Sequence, residues 1–190
     1  MKIGLYFGSF NPIHTGHLIV AESILELTDI DKIWFVVSPQ NPFKSDKDLL
    51  HQFDRYDMVQ AAIEGNPRFA VSDIEFHLPK PSYTITTLDA LAEKFPDKEF
   101  CLVLGGDNLT HLHKWKDADR LLKEYQIYIY PRPHAKEGPL DNHPSITQVN
   151  APLLDISATF VRNQIKANKS VRYLLPETVE GLIKLKGWYR

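Results

Sequence analysis

The sequence has 190 residues, 43% of them hydrophobic and 24% charged, with a formal net charge of −2 at pH 7. These proportions are typical of a soluble globular protein, and the length is enough for one domain with a sizeable core. Because the net charge is nearly zero, it gives no reason to expect a nucleic acid or a membrane surface as partner, and any bound anion must be held by a local site.

Short apolar runs alternate along the chain with amphipathic stretches, which predicts strands that alternate with helices. The predicted elements, in chain order, are strand 2–7, helix 17–27, strand 33–37, helix 48–64, strand 68–74, helix 83–95, strand 99–104, a helix near 115–124 and strand 126–130. This order, with its short connections, predicts an α/β fold in which a doubly wound parallel sheet carries helices on both faces.

The last third of the chain begins with a predicted loop, because residues 131–150 are rich in Pro, Asn and Asp. Two helices are predicted after it, over 156–168 and 174–189, the second with Pro176 in its first turn. We expect these two helices to close the ligand site. No internal repeat or linker divides the sequence, so residues 1–190 are expected to form a single domain.

Cys101 is the only cysteine and lies in the apolar run "FCLVL", where a small buried residue is expected. No disulfide can form within one chain, which suits a reducing compartment. The stretch "MKIGLYFGSF" lacks the long apolar core of a signal peptide, and no apolar run approaches membrane-spanning length. The expected location is therefore the cytoplasm.

The stretch "GSFNPIHTGH" follows the first predicted strand and concentrates residue types that favour anion binding. Gly8 lets the backbone leave the strand sharply and leaves amide groups open to a ligand. Gly16 begins the next helix, whose N-terminus carries unpaired N–H groups, and His14 and His17 flank that start. Ligands of parallel sheets bind at the carboxyl ends of strands, where this stretch and residues 105–107 both fall. The stretch therefore predicts a cradle for phosphates.

Two other interpretations of the same stretch stay open, a tight surface turn and a metal clip. His14 and His17 are three residues apart with no adjacent carboxylate, unlike the His-Glu-x-x-His motif of a metalloprotease helix. His111 and His113 could add ligands, but no second histidine pair has convincing zinc spacing. The residue types favour the phosphate cradle over both alternatives.

The stretch "ISATFVR" begins a second helix of interest at Ser157. Taken alone, Ser157 could serve only as an N-cap, with Arg162 on a solvated face. Yet Ser157, Thr159 and Arg162 fall within the first turn and a half, an arrangement with which helix N-termini hold polyphosphate. Two helix starts of this kind in one α/β sheet predict a ligand with several phosphates.

Together, "GSFNPIHTGH" and "ISATFVR" resemble the His-or-Thr-x-Gly-His and Ile-Ser-x-Thr-x-x-Arg signatures of a nucleotidyltransferase superfamily. Within it, "KPSYTITTL", "VLGGDNL" and "HKW" resemble nicotinate-nucleotide adenylyltransferases of the bacterial type. The resemblance runs from residue 3 to residue 188 and implies a Rossmann-like fold. Two positions depart from the pattern. Phe7 replaces the first of two glycines, so the strand should run one residue further, and Phe43 in "NPFK" cannot donate to a phosphate where relatives often read Pro-Pro-His-Lys.

The resemblance implies an enzyme of NAD biosynthesis that joins ATP and nicotinate mononucleotide, giving deamido-NAD and pyrophosphate, with Mg²⁺ bound together with ATP. The phosphate of the mononucleotide would attack the α-phosphorus directly. Because that phosphate is already ionised, no strong general base is needed, and catalysis would rest on positioning and charge stabilisation. No residue of the chain is expected to be a metal ligand.

Matched by position, the resemblance also implies roles for individual residues. The catalytic residues would be His14, His17 and Arg162. The ATP-binding residues would be Gly8, Ser9, Phe10, His14, His17, Gly106, Asp107, Ile156, Ser157, Thr159 and Arg162. The mononucleotide would be bound by Lys44, Thr84, Trp115 and Arg132.

Three of these residues have simpler alternatives. Asp107 could cap the next helix rather than hold an ATP ribose hydroxyl. Trp115 could be a half-buried core residue rather than frame the nicotinate ring together with Thr84. Arg132 could be an exposed loop arginine rather than reach the phosphate of the mononucleotide.

Several functions compete with adenylyl transfer to nicotinate mononucleotide. The nearest are adenylyltransferases that use nicotinamide mononucleotide or phosphopantetheine. A non-catalytic nucleotide-binding protein of the same fold would more readily have lost His17, Ser157 or Arg162, all of which are present. A zinc-stabilised interaction module would need four clustered ligands. The sequence leaves the oligomeric state open, a homo-oligomer included.

Overall fold

The computed structural model describes residues 1–39, 49–133, 135 and 138–190. Within these residues six parallel strands form one sheet in the order β3-β2-β1-β4-β5-β6. The strands are β1 (Lys2–Gly8), β2 (Lys32–Val37), β3 (Phe69–Ser72), β4 (Glu99–Gly105), β5 (Ile127–Tyr130) and β6 (Ile146–Gln148). The α-helices are α1 (Thr15–Leu27), α2 (Gln52–Ile63), α3 (Thr84–Lys94), α4 (Gly106–Leu109), α5 (Ala118–Glu124), α6 (Ala158–Lys166) and α7 (Glu177–Lys186).

The central strands are continuous apolar runs because they are buried on both faces. Alternate side chains point to opposite faces of the sheet, and two separate buried clusters result. Tyr6 and Phe35 belong to the cluster that includes α1, α2 and α7, whereas Leu5 and Leu102 belong to the one that includes α3 and α5. The prediction of a doubly wound parallel sheet with helices on both faces is confirmed.

Cys101 lies in β4 and is fully buried, as its apolar neighbours in the sequence predict. Burial raises the pKa of its thiol to about 12, so the side chain stays a neutral thiol. It therefore acts as a small core residue.

Several elements differ from the prediction, and the short helix α4 was not predicted. The predicted loop 131–150 contains β6, which pairs in parallel with β5. Helix α5 begins only at Ala118, since the preceding segment forms a separate 3₁₀ turn, Leu112–Lys114. Another 3₁₀ turn, Ile74–His77, shortens the third strand. Pro176 is the N-cap of α7, just before its first turn.

The position of the site follows from the directions in which the chain leaves β1 and β4. These neighbouring strands lead to elements on opposite faces, and the crevice between their carboxyl ends is where α/β sheets bind ligands. Strand β1 includes Phe7, as expected, but it runs one residue beyond the predicted end at Phe7, so Gly8 is its last residue. The backbone N–H of Ser38, after β2, donates to the Gly8 carbonyl at 2.9 Å. In the part of the chain that the structure describes, helices are too short or too polar to cross a membrane.

Candidate active site

A cleft of about 630 Å³ opens at the carboxyl ends of β1 and β4. It brings together most of the residues singled out in the sequence, namely Gly8, Ser9, Phe10, His14, His17, Thr84, Asp107, Trp115, Arg132, Ile156, Ser157, Thr159 and Arg162. Gly106 does not line the cleft, and its neighbour Gly105 does. Lys44 lies outside the described residues, as does Phe43.

The loop after β1 is shaped by Gly8 and Phe10. A Cβ atom on Gly8 would lie 2.8 Å from the Phe10 ring, so only glycine leaves room for that ring. Phe10 has φ +46 and its side chain is 2% exposed, packed edge-to-face on His17 and on Tyr6. Because its side chain is buried in the core, Phe10 can offer a ligand little besides its backbone.

His14 and His17 form a stacked pair at the start of α1. Their ring centroids are 3.7 Å apart and the ring planes are inclined by 25°. The backbone N–H of His14 donates to Nδ1 of His17 at 3.2 Å, which leaves the proton of a neutral His17 ring on Nε2. Gly16 allows this stack, since a Cβ atom there would lie 3.1 Å from Nδ1 of His14. Both histidines line the same cleft, as their spacing led us to expect.

Both imidazoles are neutral at pH 7 in this structure. Burial and the charge of Arg132 lower the pKa of His14 to about 4. Burial, together with His14 and Arg132, also holds the pKa of His17 well below its usual range. The pair therefore offers N–H donors to an anion rather than fixed positive charges, and a bound polyanion would raise both pKa values.

The start of α6 supplies a second donor group to the cleft. Ser157 is the N-cap and accepts a hydrogen bond from the backbone N–H of Phe160 at 3.1 Å. Arg162 is only 7% exposed, so the alternative of a solvated arginine is wrong. Its Nη1 donates to the backbone carbonyl of Asn11 at 2.9 Å, and its Nη2 lies 3.4 Å from Oγ1 of Thr159. Arg162 thus ties α6 to the loop after β1 while lining the cleft.

The turn after β4 carries Asp107 in the first turn of α4. Nε of Arg132 lies 3.8 Å from Oδ1 of Asp107, and the guanidinium sits 5.3 Å above the Tyr130 ring. Gly105 makes this approach feasible, because a Cβ atom there would lie 2.5 Å from Oδ1 of Asp107. Arg132 is therefore a partly buried residue of the site rather than an exposed loop arginine. Gly106 is buried behind the turn, against Ala135.

A further part of the cleft lining combines apolar and polar groups. Thr84 begins α3, and Nζ of Lys116 lies 4.8 Å above the ring of Tyr83, the residue before it. Trp115 is half-buried against the apolar cluster under α3 and also lines the cleft, so it is a core residue and a cleft residue at once.

A family model described as cytidylyltransferase-like matches residues 5–164. A protein of Cytophaga hutchinsonii named "Probable nicotinate-nucleotide adenylyltransferase" is 53% identical, over 100% of this chain and 98% of its own length. A protein of the same name from Flavobacterium johnsoniae is 47% identical over the whole of both chains. The chain belongs to the nicotinate-nucleotide adenylyltransferase family.

Structural comparison agrees with this family at the level of the fold. The Plasmodium falciparum nicotinic acid mononucleotide adenylyltransferase complexed with NaAD superimposes with a TM-score of 0.82 over 99% of this chain and 97% of that chain. The two sequences are 24% identical, so the match bears on the fold alone. The superposition covers nearly the whole of the present chain, from the sheet to the C-terminal helices.

Arg55 of α2 does not line the cleft but holds the loop after β1 that does, and the sequence did not reveal this role. Its side chain is fully buried, and its Nη1 donates to the carbonyls of Ser9 at 2.5 Å and Ser38 at 2.7 Å. Nη2 donates to the carbonyl of Pro39 at 2.8 Å, and Nε to that of Leu50 at 2.9 Å. Burial lowers its pKa to about 10, so it stays charged at pH 7. Arg55 clamps the chain where it leaves β1 and β2.

The C-terminal segment also reaches the loop after β1. Oη of Tyr189 donates to Oδ1 of Asn11 at 2.7 Å, and the same oxygen accepts the backbone N–H of Leu50 at 3.3 Å. Helix α7 itself packs beside α2, where Oγ1 of Thr178 donates to the Ala61 carbonyl at 2.8 Å. Of the two C-terminal helices, α6 lines the cleft and α7 supports it from behind.

Proposed function

We propose that this chain transfers the adenylyl group of ATP to nicotinate mononucleotide, giving deamido-NAD and pyrophosphate. The observation that carries the proposal is the cleft itself, which the stacked pair of His14 and His17 and the start of α6 with Arg162 line together. A helix N-terminus with N–H donors and a guanidinium suits a polyphosphate. The family membership supports the choice of both substrates.

In the proposed reaction the phosphate of the mononucleotide attacks the α-phosphorus of ATP, a new P–O bond forms, and pyrophosphate leaves as its bond to the α-phosphorus breaks. No proton has to be removed from the ionised nucleophile, so the site needs no strong general base. The Nε2–H of His17 would donate to the oxygens of the transferred group, where charge develops. His14 would act beside it, and Arg162 would hold the departing phosphates.

We propose the remaining contacts on the same basis. Asp107 would hold a ribose hydroxyl of ATP, and backbone groups of residues 8–10 would approach its phosphates. The start of α6, from Ile156 to Thr159, would bind the β- and γ-phosphates. On the acceptor side, Thr84 and Trp115 would frame the nicotinate ring, and Arg132 would contact the mononucleotide phosphate. Lys44 stays a further phosphate contact in this proposal.

Mg²⁺ would enter this site on ATP. It prefers oxygen ligands and keeps several waters. The described residues bring together no group of three or more His, Cys, Asp or Glu side chains that could hold a metal. The side chains proposed for the phosphate side are the imidazoles of His14 and His17, the guanidinium of Arg162 and the hydroxyls of Ser157 and Thr159, which can all donate hydrogen bonds to phosphate oxygens, and no carboxylate is among them. We therefore assign no residue to the ion and expect it to neutralise charge on the ATP phosphates.

The experiment that tests the function is pyrophosphate release with ATP and Mg²⁺, with nicotinate mononucleotide, nicotinamide mononucleotide and phosphopantetheine compared in parallel. The proposal expects the nicotinate form to be used preferentially. A preference for another acceptor would refute the assigned substrate, together with the roles of Thr84 and Trp115. If no pyrophosphate is released with any of the three acceptors, a non-catalytic nucleotide-binding protein is favoured instead.

A further inference from the structure

A buried carboxylate that the proposed reaction does not use lies in the wall of the cleft. Glu75, in the 3₁₀ turn after β3, is 3% exposed and lines the cleft together with Ser82, Tyr83 and Thr84. Carboxylates are seldom buried unless their oxygens accept hydrogen bonds. The donors that surround Glu75 therefore indicate what the residue does.

The donors to Glu75 come from three different parts of the chain. Oγ1 of Thr87, in the first turn of α3, donates to Oε1 at 2.9 Å. The side chains of Ser38, just after β2, and Ser82, just before α3, line the same cleft, and their hydroxyls favour the ionised form of the carboxyl group. Burial raises the pKa of Glu75, and these three hydroxyl contacts, which favour the ionised form, oppose that rise. The carboxyl group is thus bound to the first turn of α3, with hydroxyls from the end of β2 and from the segment before α3 beside it.

Apart from the contact of Thr87 with Glu75, the segment before α3 is held by exposed contacts, namely Lys80 with Gln52 and Lys116 over the Tyr83 ring. Residues 78–83, all described, form neither a helix nor a strand. Tyr83, the N-cap of α3, gives that helix no side-chain capping bond, although the carbonyl of Tyr83 accepts from the backbone of Thr87 at 3.0 Å. Hydrogen bonds to a buried carboxylate are among the stronger ones in proteins. The orientation of the Ser82–Thr84 wall therefore depends on Glu75.

We propose that Glu75 is a positioning residue for the acceptor substrate, because it holds the start of α3 through Thr87 and lines the cleft next to the Ser82–Thr84 wall. This inference rests on the proposed function, in which Thr84 frames the pyridine ring of the mononucleotide. Glu75 makes no bond to the reacting atoms in this scheme. It determines how well the acceptor is held and leaves the binding of ATP, on the side of the histidines and α6, largely unchanged.

The test compares steady-state kinetics of Glu75→Ala, Glu75→Gln and the wild-type protein. Removal of this buried hydrogen-bonding side chain should raise KM for nicotinate mononucleotide roughly tenfold or more, while KM for ATP stays within about twofold. Glu75→Gln keeps the volume and an oxygen acceptor for Thr87, so it should recover most of the affinity for the mononucleotide. Thr87→Val, which removes one donor, should shift the same KM in the same direction and serves if Glu75→Ala does not fold.

Glu22→Gln is the matched control, because Glu22 lies on α1 and pairs with Arg68 away from the cleft. It should leave both KM values unchanged. Equal increases of both KM values in Glu75→Ala, or a Glu75→Gln variant as impaired as Glu75→Ala, would overturn the positioning role. So would an unchanged KM for the mononucleotide. A wild-type protein that does not use nicotinate mononucleotide at all would instead refute the proposed function.

Discussion

Replacing Gly8 by alanine should distort the stacked pair of His14 and His17, for which we propose a catalytic role, through the Phe10 ring. The new Cβ atom would lie 2.8 Å from two atoms of that ring and 3.1 Å from a third, closer than carbon atoms pack. The ring cannot move freely, since it contacts Tyr6, Phe35 and His17 at centroid distances of 5.2 to 5.9 Å. Strain introduced at Gly8 is therefore passed to His17.

Overpacking of a buried site by one methyl group costs about 1–3 kcal/mol. At about 2–4 °C per kcal/mol for a chain of this length, the Tm of Gly8→Ala should fall by roughly 2–12 °C. Adenylyl transfer should fall as well, because His17 moves with the ring. Thermal unfolding by circular dichroism and pyrophosphate release by a coupled assay measure the two effects.

Gly181→Ala is the matched control. Gly181 lies inside α7, and a Cβ atom there would meet nothing within 4 Å. Alanine in an exposed helix interior should stabilise the protein by about 0.5–1 kcal/mol relative to glycine. The two substitutions add the same methyl group, so they should shift Tm in opposite directions. A Gly8→Ala protein with unchanged Tm and unchanged activity would refute the packing argument.

Two further predictions concern ionisable side chains of the cleft, His14 and Arg162. His14 has a pKa of about 4 in the folded protein, below its value of about 6.5 when unfolded, so stability is full above pH 6.5 and is lost as pH falls from 6.5 towards 4. Between these pH values the unfolding free energy should drop by up to about 1.4 kcal/mol per pH unit. Urea titrations at several pH values measure this dependence, which should be weaker in His14→Gln than in the wild type. An equal dependence on pH in the two proteins would contradict the burial argument. Arg162→Ala should raise KM for ATP roughly tenfold or more, and an unaltered ATP dependence would exclude its assigned role.

The alternating strand and helix pattern was sufficient to predict the sheet, because buried parallel strands and amphipathic helices have different periodicities. Strand β6 was missed since it has three residues, two of them exposed, and so has no apolar run. The 3₁₀ turns were missed for a related reason, as single turns have no period to detect. The two helix starts at residues 15 and 158 were predicted well because each follows a distinct motif.

The residues that line the cleft could be predicted where a local motif contains them, whereas contacts that form only in the folded chain could not. Arg55 and Glu75 lie in segments whose charged residues are expected on the surface, and only the folded chain brings carbonyls or hydroxyls around them. The burial of Arg162 is likewise tertiary. The neutral state of His14 and His17 depends on desolvation and on Arg132, which is 115 residues beyond His17 in the sequence (132 − 17). No pattern of neighbouring residues contains that information.

The measurement that tests the central claim most directly is the turnover of His17→Ala with ATP, Mg²⁺ and nicotinate mononucleotide. Loss of one donor to the developing charge should lower kcat roughly 10²–10³-fold. His113→Ala, a change at an exposed histidine that does not line the cleft, should match the wild type. A slow His17→Ala enzyme that still gives a cooperative unfolding transition would support the phosphate cradle. Turnover equal to that of the wild type would contradict it.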